Sequence, residues 1–80
     1  MEHGDYVPID CGLYSEYELA IMHHDRLRLS WRDPGGIAHI GIVTPTDLLT
    51  RSGAEFMVLT GPNGATIEIR LDRILQFDRV

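Results

Sequence analysis

Residues 27–36 read LRLSWRDPGG, and the fold class turns on them. Leu27, Leu29 and Trp31 alternate with Arg28, Ser30 and Arg32, the period-two pattern of a strand with one apolar and one wet face. Asp33-Pro34-Gly35-Gly36 then reverses the chain, because proline presets the backbone for a turn and glycine accepts a left-handed conformation. Residues 37–44 make the returning strand, with Ile37, Ile40, Ile42 and Val43 apolar. Gly41 in its middle marks a bulge or a sharp bend. The two strands form a hairpin.

Downstream the same grammar continues. Pro45-Thr46-Asp47 is expected to end the second strand, Leu48-Leu49 to form a single turn, and Arg51-Ser52-Gly53 to reverse the chain. Residues 55–60 are a third strand carrying Phe56, Met57, Val58 and Leu59. Gly61-Pro62-Asn63-Gly64 is a second strong turn. Over 66–71, Ile67, Ile69 and Leu71 alternate with Thr66, Glu68 and Arg70. Asp72-Arg73-Ile74 interrupts, and 75–80 closes as a short fifth strand.

Upstream the period becomes helical. Ser15 with Glu18 fits a capping box, and no glycine or proline interrupts from there to His24. The expected helix is 15–24, with Leu13, Tyr17, Ala20, Ile21 and His24 on an apolar stripe and Tyr14, Glu18 and Met22 on another face, with Glu16 near its edge. Residues 1–13, with Gly4, Pro8 and Gly12, read as an extended arm. Val7 and Ile9 would lay it along an edge of the core.

One helix followed by five short antiparallel strands makes an α+β, mostly β chain. A sheet this small must curl to bury its apolar face, which gives a strongly bent five-stranded antiparallel barrel over 26–80, capped by the N-terminal helix. Sm-like and OB-like barrels both qualify, and helix-first order favours the Sm-like arrangement. Eighty residues are expected to form a single domain, 1–80.

Composition narrows the function classes. At 44% hydrophobic and 24% charged, the chain is too apolar for a disordered tail. No apolar run reaches membrane-spanning length, and the start Met-Glu-His-Gly-Asp lacks the basic residues of a signal peptide. The lone Cys11 rules out an internal disulfide, so a reducing cytoplasm is the expected compartment. Net charge is −5, but residues 1–25 hold six acids and no arginine or lysine, whereas 26–80 hold all seven arginines against six acids. The acidic end favours a basic protein surface and repels phosphates.

No catalytic constellation emerges, and the chain is expected not to be an enzyme. Ser15, Ser30 and Ser52 lack histidine and carboxylate partners, and Cys11 lacks a base. His23 and His24 are adjacent, roughly 100° apart on a helix, and zinc spacings are absent, so neither metal nor cofactor is expected. The glycine clusters join strand to strand and offer no helix N-terminus to a phosphate. Seven arginines are the one feature favouring RNA. Yet Trp31, Phe56 and Phe77 fall on apparent core faces, and an RNA module stacks bases on exposed aromatics. Direct nucleic-acid binding is therefore not expected, and a small RNA-binding Sm-like or OB-like module is the alternative reading.

Tyr6-Val7-Pro8-Ile9-Asp10-Cys11, Tyr14, Glu18-Leu19-Ala20 and His23-His24, followed by Asp47-Leu48, Glu55, Arg70-Leu71-Asp72-Arg73-Ile74 and Phe77, span nearly the whole chain. Together they resemble the Rho-binding antiterminators of bacteria. The resemblance implies an N-terminal helix on a small Sm-like barrel. It implies a protein that binds the transcription terminator Rho where its N-terminal domain captures RNA, blocking RNA loading; a monomer is expected. A negative helix would there mimic RNA in a basic channel. Carried across, the contact residues would be Tyr14, Ser15, Glu16 and Glu18, then Asp10, then Arg51 and Ser52. The family pattern can carry aspartates where this chain has Gly12, Leu13 and Ser15. Glu18 is open to either role, helix cap or partner contact.

Overall fold

The computed structural model describes residues 5–61 and 63–80. It has a helix α1 (Cys11–Met22) and five strands, β1 (Leu27–Arg32), β2 (Ala38–Arg51), β3 (Ala54–Thr60), β4 (Thr66–Arg70) and β5 (Ile74–Arg79), with a 3-10 turn (Leu71–Arg73) before the last. The strands form one antiparallel sheet in the order β4-β3-β2-β1-β5. The expected helix-plus-five-strand composition is present, but the sheet does not close. β4 and β5 are its two edges, so it is an open sheet rather than a hydrogen-bonded barrel. Residues 1–4 of the expected arm, including Gly4, and Pro62 of the second turn lie outside the described residues.

The β1–β2 hairpin forms as its sequence requires. Asp33 Oδ1 accepts from the amides of Gly35 and Ile37, each at 2.9 Å, and the Gly36 amide donates to the Asp33 carbonyl at 2.8 Å. Gly36 takes φ 87°, the left-handed region that costs a residue with Cβ. Leu27 and Leu29 are fully buried, while Arg28 and Arg32 face water.

β2 corrects the sequence expectation. Residues 45–49 do not end the strand; β2 runs through them for 14 residues. Its first half pairs with β1 and its second with β3, and the register slips between Pro45 and Asp47. Proline lacks the ladder amide and is tolerated in a sheet at such a bulge, which also bends the strand. Pro45 is buried there, and the Thr46 hydroxyl donates to the Val58 carbonyl at 3.2 Å in place of a ladder bond. The bend lets one strand serve both halves of the sheet. Ile37 and Ile40, read as apolar strand residues, are 62% and 71% exposed because their side of the hairpin faces solvent.

The helix starts four residues earlier than 15–24 and ends two earlier. Asp10, not Ser15, is its N-cap: Oδ1 accepts from the Leu13 amide at 2.7 Å. A carboxylate caps well and complements the positive end of the helix dipole. Ile9 and Tyr14 take the staple positions on either side of that cap and both pack on the core. Ser15 and Glu18 are therefore interior residues, since S-x-x-E spacing also occurs in any helix body. At the far end, His24 donates to Ile21 O and Asp25 to Ala20 O, at 3.2 and 2.9 Å, a Schellman closure with His24 at φ 57°. That conformation turns His24 into solvent and off the apolar stripe.

The core joins Tyr17 and Ala20 of α1 to Leu27, Leu29, Val43, Met57, Leu59, Ile69 and Leu71. Tyr17 meets Phe77 edge-on at 5.1 Å between ring centres. Each buried aliphatic side chain contributes about 1.5–3 kcal/mol, and that packing, not helix propensity, holds the 12-residue helix.

One buried charge went unnoticed in the sequence. Arg70, 8% exposed, donates Nε to Asp72 at 2.6 Å and Nη1 to Asp5 at 3.0 Å, with its guanidinium 5.8 Å from the Tyr6 ring centre. Beside it the Val7 amide donates to Asp72 and the Tyr6 hydroxyl to Glu55. Polar pins rather than Val7, which is 65% exposed, thus hold the segment before the helix; Ile9 alone packs as expected.

Candidate functional site

Capping by Asp10 sets the phase of α1. With Tyr17 and Ala20 turned to the core, Tyr14 and Glu18, one helical turn apart, face the second half of β2. A groove of about 550 Å³ runs between them and the strand. Its walls are Tyr14, Ser15 and Glu18 on the helix and Asp47 on β2. Leu19, Ile21, Met22 and Leu48 complete the lining and are apolar, with Met22 69% exposed at its rim.

The negative charges of three carboxylates act on the half-buried Tyr14. Its hydroxyl is held above the ordinary tyrosine range first by burial, then by the negative charges of Glu55, Glu18 and Asp47. Tyr14 therefore stays a neutral donor. Glu55 accepts from the Tyr6 hydroxyl at 2.9 Å, and Asp47 from the Leu48 amide at 2.8 Å. Among the described residues, none of Glu18, Asp47 and Glu55 has a cation within ion-pair distance. The groove thus concentrates uncompensated negative charge beside apolar side chains.

The residues singled out from sequence divide. Tyr14, Ser15 and Glu18 line the groove together, and Asp10 caps the helix that carries them. Glu16 points elsewhere: it accepts from Arg79 at 3.0 Å, and Arg79 also reaches Asp25, so the charge of Glu16 is neutralised against β5. Arg51 and Ser52 sit at the β2–β3 turn, where Ser52 and Gly53 both have positive φ, 53° and 81°, as a tight two-residue hairpin requires. Arg51 pairs with Glu68 and covers the Phe56 ring at 4.9 Å, so it is tied to β4 rather than to the groove. Asp47 and Glu55 were not among the chosen contacts. Only their negative sign was legible; 29 and 37 residues from Glu18, their meeting depends on the bend in β2.

Cys11 is exposed, and among the described residues no cluster of three or more histidine, cysteine or acidic side chains is placed to hold a metal. Nor is any helix among them long and apolar enough to cross a membrane.

No family model matches the chain. It is 36% identical over 72 residues to Protein rof of Escherichia coli (strain K12), and equally to Protein rof of Shigella flexneri. The match covers 90% of this chain and 80% of each relative. With that identity over most of its length, the chain belongs to the family of Protein rof.

Proposed function

We propose that the chain binds the bacterial transcription terminator Rho at the RNA-capturing part of its N-terminal domain and keeps RNA from loading. Termination at Rho-dependent sites is thereby suppressed. The observation that carries this reading is the groove lined by Tyr14, Glu18 and Asp47, where, among the described residues, neither acid has a cation within ion-pair distance. An RNA-capturing surface must be basic, and uncompensated carboxylates beside apolar side chains complement its arginines and lysines. Membership in the family of Protein rof supports a transcription-related role. The chain works by occupancy, not by chemistry, as a monomer in the cytoplasm. Its helix-first, bulge-bent sheet is in this reading an Sm-like scaffold that positions α1.

The experiment is a transcription assay with purified protein on templates carrying a Rho-dependent and an intrinsic terminator. Read-through at the first alone, reversed by excess oligopyrimidine RNA, is the expected result. Unchanged Rho-dependent termination at saturating protein removes the proposal.

A further inference from the structure

The groove between α1 and β2 changes character along the helix. Tyr14, Glu18 and Met22 stand four residues apart and form one ridge, with Ser15 and Leu19 beside it. The earlier turns of α1 therefore offer the groove polar and acidic groups, and its last turn offers apolar ones. Leu19 is 40% and Met22 69% exposed. A single exposed apolar side chain is ordinary on a protein surface. These two differ because they stand three residues apart on one helix face and both line a groove of about 550 Å³.

The charge beside them selects what can cover them. Glu18 and Asp47 line the same groove, and among the described residues neither has a cation within ion-pair distance. A second copy of the chain would set acid against acid, and an anionic lipid surface would meet the same repulsion. A basic protein segment is attracted.

We propose that the groove seats a basic protein segment presenting one large apolar side chain next to its arginines or lysines. The apolar side chain packs against Leu19 and Met22, and the cations face Glu18 and Asp47. Salt screens the second contact and leaves the first, so part of the affinity is independent of ionic strength. The inference rests on the Rho reading for the identity of the partner, and it adds Leu19 and Met22 as residues that determine how tightly that partner is held.

The full chain and its Leu19→Gln, Met22→Gln and Glu18→Gln variants are titrated into purified Rho at low and at high salt. Leu19→Gln and Met22→Gln should each weaken binding by roughly tenfold, by the same factor at both salts and without shifting the melt. The loss from Glu18→Gln should shrink at high salt. If one apolar-site variant fails to fold, the other decides. Affinity unchanged in both, or a loss that disappears at high salt, overturns the proposal. Absence of Rho binding by the unmodified chain removes the Rho reading alone, and a second probe then judges the groove. Capped peptides of alternating leucine and arginine, or serine and arginine, are added to the full chain and followed by its amide NMR shifts. Saturable shifts at Leu19 and Met22 with the leucine peptide alone support the proposal; equal shifts with both, or none with either, overturn it. Concentration-dependent dimers in sedimentation that Met22→Gln abolishes would assign the patch to a second copy, and so overturn it too.

Discussion

At the scale of single residues, Asp10 and Ser15 are the sharpest contrast. Both have the side chain of a helix cap, but only Asp10 sits where the amide of the third helical residue is free, 2.7 Å from its carboxylate. Asp10→Ala should cost about 1 kcal/mol in urea unfolding, whereas Ser15→Ala should change stability by less than about 0.5 kcal/mol. Equal losses would return the cap to Ser15. Arg70 is the residue on which the segment before the helix depends. Arg70→Ala leaves the Asp72 carboxylate, 9% exposed, without its cation and with the Val7 amide as its remaining donor, and should cost on the order of 2–3 kcal/mol. The same network sets an acid response. The hydrogen bond from Arg70 holds the Asp5 carboxyl below its ordinary 3.8. A depressed folded-state value means that its contribution to stability is complete above about 3.8 and is lost as pH falls through the folded value. Asp5→Asn should therefore flatten the decline of the urea midpoint between about pH 4 and pH 2. An unchanged slope would show that the pair contributes nothing in solution.

At the scale of elements, the helix terminus and the bulged strand carry the lesson. His24 closes α1 with φ 57°, which costs a residue with a Cβ about 1 kcal/mol relative to glycine. His24→Gly should raise the melting temperature by a few degrees, and a fall would mean that the imidazole makes a contact worth more than the strain. The alternation read over 66–71 failed, with Ile67 37% exposed and Arg70 buried, whereas the hairpin of 27–36 and the Leu13-Tyr17-Ala20 stripe were legible because each is local: its period or turn chemistry lies within a few residues. β2 was not. Pro45-Thr46-Asp47 has the composition of a stop, and it stays a strand only because β3 pairs past the bulge and the Thr46 hydroxyl takes a carbonyl of β3. Trp31, Phe56 and Phe77 were read as core for the same local reason. All three are half-buried: Trp31 and Phe77 pack against the core from its edge, and Phe56 lies under the Arg51 guanidinium.

At the scale of the whole molecule, charge placement separates the groove from its surroundings. Glu18 and Glu16 are two residues apart on one helix, yet one is uncompensated and the other bonded to Arg79. Glu18→Gln removes no cap, so the melt should hold while, under the Rho binding proposed above, affinity for Rho falls by about 1–3 kcal/mol if the contact is desolvated. Asp47→Asn should act alike. Glu16→Gln should leave Rho affinity nearly intact and cost at most about 0.5 kcal/mol of stability, as an exposed ion pair does. Calorimetric titration and thermal melts on the same preparations separate the two. Equal losses of affinity for Glu16→Gln and Glu18→Gln would mean that net charge alone, not the groove, draws the partner.

By itself the sequence determined the element order, the two hairpin turns, the acidic sign of the N-terminal end and the part of the helix that presents Tyr14, Ser15 and Glu18. Each depends on neighbours within about one turn of helix or one strand pair, the range over which backbone preference and periodicity act. Tertiary structure alone decided which acids meet. Asp47 and Glu55 act with Glu18 on Tyr14 because β2, bent at its bulge, carries Asp47 toward the helix and holds Glu55 on β3 beside it by strand pairing, while Arg79 on the last strand takes Glu16 away. It also decided that Arg70 is buried and that the sheet stays open. Such outcomes depend on the balance of ion pairs and packing among residues distant in the chain, and no local pattern encodes that balance.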